Sequence, residues 1–475
     1  MLNKLKRLPV YLKNVFLLAV LWPVAAVLRK TNGVYRHVWL VTERGFDARD
    51  NAYWFFRYLR ERHPEINACY VIDPESPDCP KVARLGRTVD WRSLQHYLMY
   101  LAADYLISTH VQPGAPDLMG YYHLRQIGIR PRGREIFLQH GIIKDEMMWM
   151  RYPRLKVDFF ASGGKMEYDY LVSEFGFPEG VVQYTGLCRF DNLIREKDPS
   201  GEILVMPTWR GSDYPQGERF FETAFYRQFQ SLLDNPRLLS LLEERDLKLV
   251  FYPHIELQKE LDKFKSPSER IILASWRDYD VQALLMRCNV LITDYSSVFF
   301  DAGYMEKPVI YYQFDLEEFR KYHYQEGYFS YEKHGFGPVV MTEEALLDAL
   351  YECAENGFRM QREYRDRLDA FIRSGTRRTV SGHIRSSGRW LWEDDRGKKA
   401  GTRGTKDATC ASFRQQYGAC GNRNHADELL PGDGPEPNPV RFSRQQARAR
   451  GIRRGDTPHG RTGLCQPGSQ PPALS

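Results

Sequence analysis

A short apolar strand that runs into a hydroxyl-rich turn is the part of this sequence most suited to binding phosphate. The β-branched run Asn289–Thr293 is followed by Asp294–Ser297, reading D-Y-S-S, and helical spacing of apolar residues begins at Val298. The first turn of a helix leaves backbone N–H groups unpaired, and hydroxyls beside them complete a cradle for phosphate. Serines after a strand are also ordinary helix N-caps, so the spacing alone leaves both interpretations open. The candidate binding residues of this turn are Thr293, Asp294, Ser296 and Ser297.

Two histidines also follow predicted strands. His140 comes after the strand Glu135–Leu138 and precedes Gly141, and His254 follows the strand Leu247–Phe251. In parallel α/β domains, ligand-contacting residues lie at such carboxyl ends. An imidazole titrates near neutral pH and a following glycine lets a substrate approach, so the His-Gly pair is suited to proton transfer. A structural histidine without a catalytic role is the alternative at both positions.

A fourth strand end and one helical carboxylate complete the candidate site. The strand Ile203–Met206 runs into Pro207–Arg210, reading P-T-W-R, which makes Thr208 and Arg210 candidate ligands. An arginine there can face phosphate charge, although exposed arginines are common where loops begin. Asp301 lies one turn into the helix that follows the hydroxyl-rich turn. Its carboxylate can orient a polyol or ribose hydroxyl, or it can cap or pair with a neighbouring loop.

The sequence does not predict a metal site. The string Asp278–Asp280 has a D-x-D form, but Asp280 precedes a helical pattern at Val281 and is better explained as an N-cap. The eight cysteines show neither C-x-x-C pairs nor zinc spacing and are typical of free thiols in a reducing compartment. We therefore expect no obligatory metal and no other cofactor.

Taken together, these motifs resemble the CDP-glycerol glycerophosphotransferases, the family of teichoic-acid primases and polymerases. The resemblance rests on T-D-Y-S-S-x-x-F-D followed by K-P-V-I-Y-Y, on the His-Gly pair and on P-T-W-R. It extends to the loop Gly327–Val340, where Ser330 stands at a position commonly occupied by aspartate in that family, so this loop lacks that carboxylate. It covers about residues 130–345 well and the start of the chain weakly.

What the resemblance implies is a GT-B-like transferase that moves a polyol phosphate from a CDP-polyol, most simply CDP-glycerol, to a lipid-linked or polymeric acceptor. CMP is then released. By similarity, His140 is the base that deprotonates the acceptor hydroxyl, and His254 is a second catalytic residue that contacts the donor diphosphate. The implied substrate-binding residues are Gly141, Thr208, Arg210, Thr293, Asp294, Ser296, Ser297 and Asp301.

Several functional questions stay open at this point. They are glycerol against ribitol as the donor alcohol, primase against polymerase, the identity of the acceptor and the oligomeric state. A GT-B glycosyltransferase that uses a nucleotide sugar is the alternative enzyme. A non-catalytic membrane scaffold in a polymer-synthesis complex is the alternative of another class.

The elements that must position these residues alternate between short apolar strands and helices. This pattern predicts an α/β fold with two tandem Rossmann-like, doubly wound domains. We place an acceptor domain at residues 36–199 and a donor domain at 200–372, joined at the polar stretch 195–201. Further predicted strands are His37–Thr42, Ala68–Ile72, Tyr105–Thr109, Val157–Ala161, Ile271–Leu273 and Pro308–Tyr312. The predicted helices are Asn51–Arg62, Leu94–Ala102, Tyr168–Phe175, Phe220–Leu233, Leu238–Glu244, Val281–Met286 and Glu343–Asn356.

The amino-terminal segment, residues 1–35, has the pattern of a membrane-associating helix. Residues 1–30 carry six basic side chains and no acid, and the apolar stretch Val15–Leu28 is interrupted by Pro23. A spanning helix needs about 20 apolar residues, so we predict a helix that lies on the cytoplasmic face of the cell membrane. A short transmembrane anchor and a cleaved signal peptide are the alternatives.

The net charge of +6 is concentrated at the two ends of the chain and leaves a mildly acidic body. A general role in nucleic-acid binding is therefore not expected. Residues 373–475 are basic, rich in Gly, Arg, Pro and Gln, and too poor in apolar periodicity to bury a core, so we predict a disordered tail. A genuine tail and the product of a shifted reading frame near residue 374 both remain possible origins of this composition.

Overall fold

Parallel β-strands form the framework of the molecule. The structure is a computed structural model that describes residues 8–111, 114–126, 128–193, 201–211, 214–322 and 324–372. The strands in these residues are β1 (Trp39–Thr42), β2 (Ala68–Ile72), β3 (Thr88–Asp90), β4 (Tyr105–Ser108), β5 (Arg134–Phe137), β6 (Phe159–Ser162), β7 (Val182–Tyr184), β8 (Glu202–Met206), β9 (Lys248–Phe251), β10 (Ile271–Leu273), β11 (Cys288–Thr293), β12 (Val309–Tyr312) and β13 (Val339–Val340).

Two sheets have the same topology, apart from one additional edge strand in the first sheet. The first has seven strands in the order β3-β2-β1-β4-β5-β6-β7, and the second has six in the order β10-β9-β8-β11-β12-β13. Every pairing between named strands in these sheets is parallel. In each sheet the order reverses beside its first strand, as in a doubly wound Rossmann-like fold, and ligands bind such folds at the carboxyl ends beside the reversal. The prediction of two doubly wound α/β sheets is confirmed.

Helices cover both sheets and bury them on both faces. The central strands β1, β2, β6 and β12 are buried at every position, which explains their continuous apolar runs. The α-helices in the described residues are α1 (Leu8–Thr31), α2 (Asn51–Arg62), α3 (Cys79–Leu85), α4 (Leu94–Ala102), α5 (Leu118–Gln126), α6 (Lys165–Glu174), α7 (Phe190–Leu193), α8 (Ala224–Asp234), α9 (Pro236–Glu244), α10 (Val281–Arg287), α11 (Phe299–Tyr304), α12 (Leu316–Tyr322), α13 (Tyr331–His334), α14 (Glu343–Glu355) and α15 (Arg362–Ile372).

Predicted element boundaries hold where local signals are strong. The predicted bounds of α2 and α4 are those observed, and Asp280 caps α10 by accepting from the backbone N–H of Ala283, as predicted. The predicted helix Phe220–Leu233 is wrong at its start. A 3-10 turn ends at Glu222, and Thr223 then caps α8 with its hydroxyl. The edge strands β3, β7 and β13 have only two or three residues and were not predicted, although the equally short edge strand β10 was, because runs this short show too little periodicity for a consistent prediction.

Helix α1 packs against the first sheet's helical layer. Its side chains Leu18, Leu21 and Ala25 are buried in a cluster shared with α4. Near its carboxyl end, Arg29 donates to Asp104 at 2.5 Å. Between residues 16 and 27, the side of the helix that faces away from this cluster is apolar and exposed. Among the residues that the structure describes, no helix is both long and apolar enough to cross a membrane. The outward-facing apolar side chains of α1 are Phe16, Val20, Trp22, Val24 and Val27.

We refer to the first sheet with its helices as the first lobe and to the second sheet with its helices as the second lobe. Elements at the end of each lobe pack against the other. Phe190 in α7 stacks on Tyr304 in α11 with ring centroids 4.2 Å apart, and Phe371 in α15 lies against Gly164. The predicted domain boundaries stay a prediction. The predicted linker, apart from Gly201 itself, and the predicted tail lie outside the described residues.

Candidate active site

The loop that carries His140 is held in place by a buried carboxylate. Glu167, in α6, accepts from the backbone N–H groups of Ile143 at 2.6 Å and Gly163 at 2.7 Å. It also accepts from the Gln139 side-chain amide and the Ser162 hydroxyl, each at 3.0 Å. Burial raises the pKa of Glu167 to about 7, although these four hydrogen bonds oppose the shift. One side chain thus ties the loop after β5 to the loop after β6.

His140 is oriented by Asp50. The Nδ1 atom of His140 bonds to one oxygen of Asp50, the residue that caps α2 by accepting from the N–H of Asn51 at 2.7 Å. Burial opposes the charged form of Asp50, but His140 and Arg189 outweigh it and lower the pKa of that carboxyl below its ordinary value. A carboxylate at Nδ1 fixes the tautomer with hydrogen on Nδ1, which leaves Nε2 as the acceptor. The His140 side chain is 62% exposed, so Nε2 is available to a substrate.

The turn that presents Asp50 is itself braced by Glu43. The buried Glu43 carboxylate accepts from the backbone N–H groups of Arg49, Asp50 and Tyr53 at 2.8, 2.9 and 3.0 Å. Burial is the main cause that raises the pKa of Glu43, and the neighbouring carboxylates act in the same direction. The turn after β1 is therefore a preformed support for His140, and its residues were not predicted from the sequence.

A second histidine lies beside His140. His110 follows β4, and its ring stacks on the His140 ring with centroids 5.3 Å apart and planes 29° apart. Burial lowers the pKa of His110 well below its ordinary value, and His140 and Arg44 act in the same direction, so the ring is neutral near pH 7. Sequence reasoning missed His110, although a histidine directly after a predicted strand was the available signal.

In the second lobe, Asp294 and Arg210 form a buried frame. Both Asp294 oxygens accept from the backbone N–H of Thr208, at 2.9 and 3.1 Å. The guanidinium of Arg210 contacts Asp294 at 2.8 Å and Asp315 at 2.7 Å, and its side chain has no exposed surface. Arg210 therefore braces the loop after β8 from within. It is not an exposed loop arginine, and a ligand reaches it only if this frame opens.

The hydroxyl-rich turn divides into a buried half and an accessible half. Thr293 is buried and donates to the Met206 carbonyl at 2.7 Å. Ser296 and Ser297 are half-buried, and the Ser296 hydroxyl accepts from the N–H of Val298 at 3.4 Å. Helix α11 has only six residues, so its dipole is small, and Val298 at its cap position provides no side-chain cap. Any phosphate here would therefore depend on the hydroxyls and on local N–H groups.

Thr208 and His254 lie side by side at the ends of β8 and β9. The backbone N–H of His254 donates to the Pro207 carbonyl at 3.1 Å. Nδ1 of His254 accepts from the N–H of Glu256 at 3.3 Å, which places the ring hydrogen on Nε2. The Thr208 hydroxyl is buried and has no hydrogen-bond partner among the described residues. A buried donor without a partner is unusual and marks a place where a ligand or water can bind.

The two halves of the predicted site meet at Gly141 and Ser297. A Cβ added to Gly141 would lie 2.6 Å from the Ser297 Oγ, closer than such contacts allow. The loop after β5 and the loop after β11 therefore touch, each at the carboxyl end of its sheet. The structure thus brings the loop of His140 and Gly141 against Ser297.

Asp301 lies behind this contact and faces Arg189. The guanidinium of Arg189 donates to both Asp301 oxygens at 2.5 and 2.9 Å, and Asp301 is almost fully buried. The same guanidinium donates to Asp50 at 2.8 Å and to the His140 carbonyl at 2.6 Å. Of the two roles considered for Asp301, pairing with a neighbouring segment describes the observed geometry. Sequence reasoning did not single out Arg189.

Within the described residues, no group of three His, Cys, Asp or Glu side chains is placed to hold a metal ion. The cysteines in this part of the chain are all free thiols, namely Cys69, Cys79, Cys188, Cys288 and Cys353.

Two doubly wound parallel sheets whose carboxyl ends meet around a histidine and a hydroxyl-rich turn define a GT-B-like fold. Comparison with known proteins specifies the class further. The family model for CDP-Glycerol:Poly(glycerophosphate) glycerophosphotransferase matches residues 26–378, and the chain belongs to this family of transferases.

Curated relatives are teichoic-acid proteins. The chain is 29% identical over 351 residues to the minor teichoic acid biosynthesis protein GgaB of Bacillus subtilis (strain 168), covering 70% of this chain and 38% of GgaB. It is 30% identical over 234 residues to a teichoic acid glycerol-phosphate transferase of Staphylococcus aureus (strain NCTC 8325 / PS 47), covering 46% of this chain and 54% of the relative. The chain thus spans well under two thirds of the length of either relative.

A solved structure shows the same fold. The H548A form of the wall teichoic acid polymerase TagF superposes with a TM-score of 0.59 and 18% sequence identity, covering 84% of this chain and all of that one. This similarity supports the two-lobed architecture described above.

Proposed function

We propose that this chain transfers a polyol phosphate, most simply glycerol phosphate, from a CDP-polyol to a hydroxyl of a lipid-linked or polymeric teichoic-acid-like acceptor. Family membership supports the transferase class. The single observation that supports this chemistry is the contact of the His140 loop with the Ser296–Ser297 turn, which is so close that a Cβ added to Gly141 would lie 2.6 Å from the Ser297 Oγ. One lobe then supplies a base and the other supplies hydroxyls at the same place.

In the proposed reaction, His140 acts as the general base. Nε2 accepts the hydrogen of the acceptor hydroxyl while the acceptor oxygen attacks the β-phosphorus of the donor. A new P–O bond forms to the acceptor, the bond from the β-phosphorus to the bridging oxygen breaks, and CMP leaves with that oxygen. Asp50 stabilises the imidazolium through its bond to Nδ1, since the carboxylate stays charged below neutral pH.

The second lobe holds the donor diphosphate in this proposal. The accessible hydroxyls of Ser296 and Ser297, the unpartnered hydroxyl of Thr208 and Nε2–H of His254 are donors suited to phosphate oxygens. Thr293, Asp294 and Arg210 act indirectly, because their polar groups are already engaged in shaping the loops after β8 and β11. Positioning and charge stabilisation account for most phosphoryl-transfer catalysis, so such a preformed frame is appropriate.

A donor panel tests this function. The full chain is incubated with CDP-glycerol, CDP-ribitol or a UDP-sugar and a lipid-linked acceptor, and the released nucleotide is identified. We expect CMP from a CDP-polyol and a loss of turnover of about 10²-fold or more in His140→Ala with donor binding retained. UDP release would favour a nucleotide-sugar glycosyltransferase, and no release with any donor would favour a non-catalytic scaffold. Near-normal turnover in His140→Ala would remove that residue from the role of base.

We also propose that α1 binds the cytoplasmic face of the cell membrane. The helix exposes an apolar stripe, of which Phe16 is 70% and Val27 is 60% exposed. Basic residues flank it in the sequence, and such a combination suits an anionic lipid surface. The inner face of α1 belongs to the first lobe's core, so deletion of the helix would damage folding as well as binding.

A further inference from the structure

The contact between lobes behind the site depends on Arg189. Its guanidinium bonds to both oxygens of Asp301 in α11, to one oxygen of Asp50 and to the carbonyl of His140. The Nε, NH1 and NH2 nitrogens therefore all have protein partners, and the residue is almost fully buried. Arg189 is placed to act on the reaction through other residues, not by touching substrate.

The segment around Arg189 is fixed to both lobes. Phe190 stacks on Tyr304 of the second lobe at 4.2 Å, and Leu187 and Leu193 pack in the same apolar cluster. On the other side, the backbone N–H of Arg189 donates to the Asn51 side chain at 3.0 Å. The guanidinium is thus held at a defined distance from both the donor-side helix α11 and the cap of α2.

The charges of this cluster favour a positive charge on His140. Two buried carboxylates, Asp50 and Asp301, share one guanidinium, and the deficit of positive charge faces the imidazole of His140. The proton that His140 takes up would balance the cluster. A bidentate arginine–carboxylate pair also fixes orientation more strongly than a single hydrogen bond, and lysine cannot reproduce it.

We propose that Arg189 is a positioning residue that couples α11 of the second lobe to the His140–Asp50 pair, so that the orientation of the base depends on the contact between lobes. This inference rests on the proposed role of His140 as the base. In this proposal Asp301 anchors Arg189, and the Arg189–Asp301 pair links the second lobe to the first.

The test compares Arg189→Lys with Arg320→Lys in the full chain. Arg320 makes another ion pair between the lobes, with Asp145 at 2.7 Å, but it contacts neither Asp50 nor His140. The histidines are isotope-labelled, the His140 ring signals are assigned with His140→Ala, and turnover and the donor KM are measured in parallel. Asp301→Asn is the second variant, because it removes only the far anchor of Arg189 and keeps the side-chain size.

We expect Arg189→Lys and Asp301→Asn to replace the single-tautomer ring signals of His140 by averaged ones. Turnover should fall at least about tenfold with the donor KM changed less than about twofold, and Arg320→Lys should change neither. In a double-mutant cycle, Asp50→Asn and Arg189→Lys should be less than additive in turnover. Unchanged His140 signals in Arg189→Lys and Asp301→Asn, or equal changes in Arg320→Lys, would overturn the proposal.

The ring signals need no substrate, which separates this inference from the proposed function. A chain that releases no nucleotide from any CDP-polyol, but whose His140 signals respond to Arg189→Lys and not to Arg320→Lys, refutes the function and supports the positioning role. A chain that releases CMP and whose His140 signals ignore Arg189→Lys supports the function and refutes the positioning role.

Discussion

Gly141 lies directly against Ser297, and a Cβ at position 141 would come within 2.6 Å of the Ser297 hydroxyl oxygen. The two residues come from different lobes, so their contact sets the separation of the proposed base from the proposed diphosphate site. Gly141 has no side chain at this point, and its neighbour His140 can therefore face the hydroxyl-rich turn at close range.

Replacement of Gly141 by Ala should separate the two loops. We expect turnover to fall on the order of 10- to 100-fold, because small displacements of reacting groups carry such costs. Steady-state kinetics with CDP-glycerol and a thermal melt distinguish misplacement from unfolding. Gly33→Ala is the control, since a Cβ there meets nothing within 4 Å and the residue lies before β1. Equal losses in both variants would contradict the explanation.

Arg210→Met should destabilise the protein more than it changes chemistry. The substitution leaves Asp294 and Asp315 buried without their cation, and loss of one partner from a buried pair costs about 3–5 kcal/mol. Denaturant unfolding measures this loss. Arg237→Met removes an exposed pair with Asp348 and should leave the unfolding free energy unchanged. A stable Arg210→Met protein with weakened donor affinity would instead show that Arg210 binds the donor directly.

Glu167 should make stability depend on pH. Burial raises its pKa from the ordinary 4.5 to about 7, so the folded state binds more protons than the unfolded state between these values. The contribution of Glu167 to the stability of the folded state is therefore complete below about pH 4.5 and is lost as the pH rises through about 7. In the wild-type protein we expect the free energy of unfolding to fall by on the order of 1 kcal/mol or more between pH 5 and 7. Glu167→Gln should remove this fall, which denaturation across that pH range would measure.

The same substitution also tests the loop. In the wild-type protein the N–H groups of Ile143 and Gly163 donate to the Glu167 carboxylate. In Glu167→Gln, an amide nitrogen replaces one carboxylate oxygen and cannot accept from these donors. Turnover should fall even at pH values where both proteins are fully folded. Wild-type turnover in that variant would show that the loop carrying His140 does not depend on this carboxylate.

The outward stripe of α1 should govern membrane binding without affecting the fold. Val20 and Val24 are 47% and 43% exposed, so Val20→Gln with Val24→Gln should weaken partitioning onto anionic vesicles on the order of tenfold while leaving the melting temperature unchanged. Vesicle co-sedimentation measures the binding. Val172→Gln, at an equally exposed position on α6, is the matched control. Unaltered co-sedimentation of the double variant would refute the membrane role of α1.

Strand-end residues were predictable because strand and helix patterns are local. The apolar runs that became β5, β8, β9 and β11 fix where each strand stops, and each parallel sheet gathers the carboxyl ends of its own strands at one edge. Thr208, His254 and the hydroxyl-rich turn follow strands of the second sheet and were therefore predicted to lie at one edge, whereas His140 follows a strand of the first sheet and was joined to them through the family resemblance. The same argument would have included His110, which follows β4.

The two doubly wound sheets, and the polar residues that follow their strands, could be predicted from the amino-acid sequence, since both depend on patterns a few residues long. The long-range packing of the folded chain instead shows which polar side chains are accessible and which are already paired inside the protein. Arg189 and Asp301 are 112 positions apart, and Arg210 and Asp315 are 105 positions apart, yet each pair is buried and bonded. The sequence does not distinguish an arginine or aspartate that binds phosphate from one that pairs with another side chain. Packing between residues far apart in the chain determines which of the two occurs.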